Sequence, residues 1–336
     1  VINVYPSTTF LTALFSSALK RNATDIHFSP RKQGIDVFFR VNGNRVPHQE
    51  ISHNQYRQTI NHLKFTSGMD ISETRLPQDG VITVTAENTL LDIRISTLPT
   101  VNNESLALRI LPQTDNRPLT HLLLFPYQQT LLNLIFSRKS GLVLFTGPTG
   151  SGKTTLLYSL LNHLLDQQPC QAITLEDPIE KNIHALLQVQ INEKNGMTYH
   201  TGLKAALRHD PDILMVGEIR DHKTAAFVFH AAYTGHLVFS TLHARDAIGT
   251  IHRLLDMGIK PIDLEQNLLA VVALELIPII QNGHCSRRAA IIEILQQQDL
   301  NQAIFPNKDN SYSYQTFAQL KRKAIAYGFA STQLND

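Results

Sequence analysis

The chain has 336 residues, room for two domains of ordinary size, and 43% of them are apolar, which excludes wholesale disorder. Its 30 basic and 28 acidic residues leave a net charge of +2, too even a balance to mark a nucleic-acid or membrane-surface protein by bulk charge. Two cysteines, Cys170 and Cys285, exclude a disulfide framework and suit a reducing cytoplasm.

The opening residues, VINVYPSTTF, lack a basic region followed by an apolar one, so no export signal is expected in them. They start on Val rather than Met, which leaves room for sequence before Val1. Ser7 can cap a helix whose apolar residues Phe10, Leu11, Leu14, Phe15, Ala18 and Leu19 follow a helical period. Ile35, Val37, Phe39 and Val41 then alternate, and Asn42-Gly43 supplies a hairpin turn. A helix is predicted over Gln55 to Thr66, ending near Gly68, followed by strands at Val81 to Thr85, Leu91 to Thr97 and Ser105 to Leu111. Residues 1–111 read as one small α+β domain.

The segment PQTDNRP, residues 112–118, reads as a linker. After it the pattern changes. A helix is predicted from Pro126 to Arg138, stopping before Gly141. Strand-like runs follow at Leu142 to Thr146, Ala172 to Glu176, Ile213 to Val216 and Leu237 to Thr241, with helical segments between them. That order predicts an α/β domain over 119–336 with a mostly parallel sheet flanked by helices. The longest apolar run, Leu268 to Ile280, is broken by Glu275 and is too short to cross a bilayer of about 30 Å as a helix. Membrane contact is therefore expected only through partners.

The strongest chemical signal is Gly147-Pro148-Thr149-Gly150-Ser151-Gly152-Lys153-Thr154, followed by Thr155. It fills G-x-x-x-x-G-K-[ST] between an apolar strand and a helical run, the context the motif requires. Its glycines let backbone N–H groups converge on phosphate oxygens, and the helix N-terminus adds a favourable dipole. Lys153 can reach the β- and γ-phosphates of ATP, and Thr154 can ligate Mg²⁺. A ligand-free glycine turn is the bland reading, and strand, loop and helix together weigh against it.

Phosphoryl transfer also needs carboxylates for Mg²⁺ and water. Glu176-Asp177-Pro178-Ile179-Glu180 and Glu218 sit at the ends of predicted parallel strands, where ligands bind in open α/β sheets. Thr154, Asp177 and Glu218 are the candidate Mg²⁺ group. His236 and His243 flank the strand LVFSTL. No cysteine or carboxylate cluster has zinc spacing, so a γ-phosphate or water contact fits the histidines better than a metal.

Together these segments resemble the type II/IV secretion ATPase family. GPTGSGKTT, ITLEDPIE (173–180), LRHDPDILMVGEIRD (207–221) and TGHLVFSTLHARDA (234–247) are similar to its Walker A, Asp box, Walker B and His box. Upstream, TDIHFSP (24–30), FRVNG (39–43), DISETRLPQDG (70–80) and DIRISTLPTVNNESLALR (92–109) resemble its N-terminal domain, and RLLDMG (253–258) a later segment.

The resemblance implies a RecA-like P-loop ATPase domain, a PAS-like N-terminal domain and a homohexameric ring. It also implies ATP hydrolysis that drives an inner-membrane platform protein from the cytoplasmic side. Glu218 is the first choice to polarise water and Glu176 the second, with roles that could be exchanged. Arg94 and Arg109 match the family's proposed arginine fingers, and His236 and His243 match its His box.

The chain departs from the pattern in places. Asn42 stands where many relatives carry Asp, and Glu275 replaces the arginine of an AQRL segment. Only Cys285 lies where longer members carry a four-cysteine zinc module, so no zinc is expected. The short chain resembles the competence ATPases of Gram-positive bacteria and also the pilus-retraction ATPases. RRAAIIEIL (287–295) favours the former, with assembly of a DNA-uptake pseudopilus or type II secretion machine as the implied work. A nucleic-acid translocase would need a basic, aromatic-lined channel. The chain has no Trp, its cations are dispersed, and Lys321-Arg322-Lys323 reads as a solvated helix face, so no direct nucleic-acid contact is expected. A non-hydrolysing nucleotide-binding scaffold is disfavoured by the presence of Lys153, Glu176 and Glu218.

Overall fold

A computed structural model describes residues 6–101, 103–112, 118–281, 284–306 and 312–331. The chain divides into two compact units, Val1–Asp115 and Asn116–Asp336. Residues 113–117, the middle of the predicted linker, lie outside the described residues.

The first unit begins with α1 (Pro6–Lys20), so Ser7 falls in the first turn rather than before it. Then come β1 (Ala23–Pro30), β2 (Ile35–Val41), β3 (Asn44–Ile51), α2 (His53–Thr66), β4 (Gln78–Ala86), β5 (Thr89–Pro99) and β6 (Glu104–Pro112). The strands form one antiparallel sheet in the order β3-β2-β1-β6-β5-β4. Asn42 and Gly43 both take positive φ, +51° and +87°, as a tight two-residue hairpin demands. Asn42 tolerates that region better than most side chains, which accommodates the departure noted at this position.

One face of the sheet is apolar by strict alternation. Ile26 and Phe28, Val37 and Phe39, Ile93 and Ile95, and Leu106 and Leu108 are all 1% exposed or less. They pack with Leu14 and Phe15 of α1 and with Tyr56 and Leu63 of α2. Each such side chain contributes about 1.5–3 kcal/mol by leaving water. The Ser52 side chain caps α2 by accepting from the Gln55 N–H at 3.2 Å.

The second unit runs α3 (Leu119–Leu122), α4 (Pro126–Phe136), β7 (Gly141–Thr146), α5 (Lys153–Gln167), β8 (Ala172–Glu176), β9 (Leu187–Gln190), α6 (Tyr199–Ala206), β10 (Ile213–Val216) and α7 (His222–Tyr233). It continues with β11 (Leu237–Leu242), α8 (Ala247–Asp256), α9 (Pro261–Asn267), β12 (Leu268–Gln281), β13 (His284–Gln296), α10 (Gln297–Ile304) and α11 (Phe317–Ala326). Its sheet has the order β13-β12-β7-β11-β10-β8-β9, parallel throughout except for β13 against β12.

Every residue of β7, β8, β10 and β11 is buried, as a sheet covered on both faces requires. Leu142 and Leu144 face the core that holds α7 and α8, whereas Val143 and Phe145 face α4 and α5. The chain leaves β7 through α5 and re-enters at β8, skipping the places of β11 and β10. That crossover opens a crevice at the C-terminal ends of the strands.

The apolar run from Leu268 is strand β12, paired with β13 in a long hairpin. One expectation is corrected here. Lys321 and Lys323 do not lie on a solvated face. Lys321 pairs with Glu275 at 2.7 Å, and the Lys323 ammonium sits 4.3 Å from the Tyr127 ring centroid and 5.2 Å from that of Phe125.

Candidate nucleotide site

The loop between β7 and α5 has the geometry of an anion cradle. Gly147, Gly150 and Gly152 all take positive φ. A Cβ on Gly147 would come within 2.6 Å of the Leu274 carbonyl oxygen on β12, so glycine is required there. The Ser151 hydroxyl is buried without a hydrogen-bond partner. Lys153, the first residue of α5, is 8% exposed, and its ammonium donates to the carbonyls of Gly147 at 2.8 Å and Pro148 at 3.0 Å. Burial lowers its pKa, and the nearby carboxylates of Glu218 and Glu180 oppose that shift. An orphaned hydroxyl, N–H groups at a helix start and a cation held by loop carbonyls fit a polyphosphate. Pro148, Thr149, Thr154 and Thr155 complete the segment, and Thr154, part-exposed on the first turn, is placed to offer a hydroxyl to Mg²⁺.

Glu218 follows β10 by one glycine. Gly217 is stitched on both sides: its N–H donates to Leu175 O at 2.7 Å, and its carbonyl accepts from the Thr241 hydroxyl at 2.6 Å. Glu218 Oε1 lies 3.1 Å from His243 Nε2, and Arg220 Nε donates to Oε2 at 3.1 Å. His243 Nδ1 is 3.4 Å from Lys153 Nζ and 3.3 Å from Gly147 O. The His243 ring thus bridges the Glu218 carboxylate and the P-loop lysine through its two nitrogens. The histidine loop is pinned by Ala244 N–H, which donates to the Thr146 hydroxyl at 3.0 Å.

Glu176 is placed differently. It is 3% exposed, and its carboxylate accepts from Thr174 Oγ1 at 2.6 Å, from Gln188 Nε2 at 3.1 Å and from the Tyr158 hydroxyl. These donors come from β8, β9 and α5, so Glu176 ties three elements together. Asp177 turns outward to Arg220, whose Nη1 donates to Oδ2 at 3.2 Å. Both carboxylates of the expected Mg²⁺ group thus share one guanidinium.

His236 lies elsewhere. Its carbonyl accepts from Gly141 N–H at the start of β7, and its Nδ1 is 3.0 Å from Thr234 Oγ1. At about 3.3 Å per residue, the length of β11 separates it from His243 by roughly 20 Å. The structure brings His243, and not His236, to the P-loop of its own chain.

In the first unit Arg94 and Arg109 are register partners across the β5–β6 pair, on the face opposite the apolar one. Asn102 of the intervening turn lies outside the described residues. Arg109 Nε donates to Asp25 Oδ1 at 2.9 Å. Register extends the row through Asp25 to Arg40 and Arg45, so four arginines flank one buried aspartate across five adjacent strands. Arg40 lies in the FRVNG segment without a role of its own there, Arg45 lies outside every motif, and only strand pairing reveals the row. Arg220 and Tyr199 were likewise not singled out. Arg220 could have been found, two residues past Glu218, whereas Tyr199 reaches the site from α6.

Among the described residues no group of three His, Cys, Asp or Glu side chains is arranged to hold a metal, and the side chain of Cys285 lies outside them. No described helix is long and apolar enough to cross a membrane.

A mostly parallel α/β sheet with a P-loop after an interior strand, and a carboxylate and histidine joined to that loop, defines a nucleotide-hydrolysing enzyme. The chain belongs to the type II/IV secretion system protein family, whose model matches residues 3–331, and it is an ATPase. It is 42% identical over 338 residues to the competence protein ComGA of Bacillus subtilis, covering 96% of this chain and 95% of that protein. It superposes on the pilus retraction motor PilT, solved with bound ADP, with a TM-score of 0.65 and 26% identity over 96% of this chain and 90% of that one. The Legionella pneumophila ATPase DotB has the same fold, with a TM-score of 0.79 at 21% identity over 99% and 95% of the two chains.

Proposed function

We propose that the chain is a ring-forming motor, a homohexamer, that hydrolyses Mg·ATP on the cytoplasmic side of a membrane to assemble a pilus-like machine for DNA uptake. The observation that carries the reading is the match to ComGA over 96% of this chain and 95% of that protein. In this reading residues 147–155 hold the phosphates and Thr154 a Mg²⁺ ion, which supplies charge neutralisation to the transferring phosphoryl group. Glu218 accepts a proton from water as the water oxygen bonds to the γ-phosphorus and the bond to the β–γ bridging oxygen breaks, leaving ADP and phosphate. His243 holds Glu218 and senses Lys153 as it turns from the loop carbonyls to phosphate. Arg94 and Arg109 supply positive charge to the transferring group from a neighbouring subunit. An inner-membrane platform protein receives the motion.

The likeness to PilT favours a second reading, pilus retraction. Complementation separates the two. Expressed in Bacillus subtilis lacking its own ComGA, the chain should restore transformation, and Lys153→Ala should not. A chain that hydrolyses ATP, restores no DNA uptake there and instead rescues a strain lacking its retraction motor would support the second reading.

A further inference from the structure

Between β10 and α7 the chain reads Gly217-Glu218-Ile219-Arg220. Ile219 is turned into the core, 1% exposed, and its N–H donates to Thr241 O at 2.8 Å. Glu218 and Arg220 flank that anchor and emerge together. The Arg220 guanidinium uses Nε for Glu218 Oε2 and Nη1 for Asp177 Oδ2, at 3.1 and 3.2 Å. One planar fork thus spans carboxylates that leave two neighbouring strands, β10 and β8. The Tyr199 hydroxyl closes the inner side, 3.3 Å from where a Cβ on Gly217 would stand. Burial, with Asp177 adding to it, pushes that hydroxyl up to about 12, so it stays protonated and neutral beside the acids.

Glu218 is part-exposed, and a glutamate in that setting has several rotamers to choose from. His243 fixes only one of its oxygens. Arg220 fixes the other and anchors itself on a second strand, which restricts the rotation that His243 alone would allow. Each oxygen keeps an acceptor site beyond these two bonds. We propose that Arg220 is the positioning residue for the water-activating carboxylate, holding Glu218 in register with the P-loop by bridging it to Asp177. This role rests on Glu218 being the general base. It requires a guanidinium, because a lysine ammonium is a compact point charge and lacks the rigid plane that places separate donors against both carboxylates.

The test uses Arg220→Ala, Arg220→Gln and Arg220→Lys in the full chain beside Glu218→Gln. It reads kcat and KM for ATP, the affinity of a fluorescent ATP analogue, and thermal melting. Arg220 is 57% exposed, so its removal should leave melting unchanged. Misplacing a reacting group by about 1 Å costs on the order of 10²-fold, so kcat should fall by about that factor while nucleotide affinity holds. Millimolar guanidinium should return part of kcat to Arg220→Ala and none to Glu218→Gln, and Arg220→Lys should resemble Arg220→Ala. Full hydrolysis by Arg220→Ala beside an inactive Glu218→Gln would sink the positioning role alone. Full hydrolysis by Glu218→Gln would sink the general-base reading and this role with it. A fall in all three variants with lower melting and no recovery by guanidinium would make Arg220 a stabilising residue instead.

Discussion

Two glutamates stand at the ends of adjacent strands, and their surroundings give them different work. Glu176 is the last residue of β8 and shares a face with Thr174, so it points inward to donors on β9 and α5. Glu218 lies beyond the end of β10, where the sheet no longer dictates direction, and it meets Arg220 and His243. An amide at 218 keeps the shape and removes the charge, so Glu218→Gln should keep nucleotide affinity and melting temperature while hydrolysis falls by 10²-fold or more, roughly the worth of a general base. An amide at 176 places N–H groups against donors, so Glu176→Gln should cost about 1–3 kcal/mol in chemical denaturation. Equal stability losses in the two variants would refute this division. Both glutamates were legible in sequence as acids at the ends of apolar runs, and the runs at Ala172–Glu176 and Ile213–Val216 match β8 and β10, but the donors that meet each carboxylate come from other elements and were not legible. The histidine pair shows the opposite case. His236 and His243 lie at the two ends of one buried strand, and its length alone separates them by the depth of the sheet.

At the level of elements, strand patterning found β2, β4, β5 and β6 but not β1, and continuous apolar runs found β7, β8, β10 and β11. It missed the β12–β13 hairpin, because a fully buried run carries no period that tells strand from helix. It also missed what holds α2 to its sheet. Lys64 is 1% exposed and Glu104 5%, and they pair at 2.7 and 2.8 Å. The same ammonium donates to Glu73 O at 2.7 Å, and the Tyr56 hydroxyl donates to Glu104 O at 2.6 Å. Removing one partner strands a buried charge, which typically costs 3–5 kcal/mol, whereas removing both can be nearly neutral. Lys64→Met should therefore destabilise the chain by about that amount in urea titration, and Lys64→Met with Glu104→Leu should recover much of it. A double variant as unstable as the sum of the single ones would mean that the two residues act independently.

Across the whole molecule the chemistry divides between two units. The P-loop, Glu218 and His243 belong to Asn116–Asp336, and Arg94, Arg109, Arg40 and Arg45 to Val1–Asp115. Arg109 is held at Nε by Asp25 and stays 58% exposed, on the sheet face turned away from its own core. An exposed guanidinium on that face presents a fork of N–H donors, which makes a phosphate a fitting partner. If that phosphate belongs to the next subunit of a ring, the fault of one variant can be cured by another. Arg109→Ala and Lys153→Ala should each lose about 10³-fold or more in hydrolysis as pure assemblies, the usual worth of an arginine finger or a P-loop lysine. In randomly mixed rings about a quarter of the interfaces would set an intact P-loop against an intact arginine, and hydrolysis should return in that proportion. The mixture must be assembled from unfolded or dissociated chains, and its composition verified by native mass spectrometry, so that exchange is not assumed. Recovery that grows with the product of the two fractions is the signature of an interface site. Verified mixed rings that stay inactive at every ratio would place Arg109 in its own chain's site or make it a surface cation, and the trans assignment would be withdrawn.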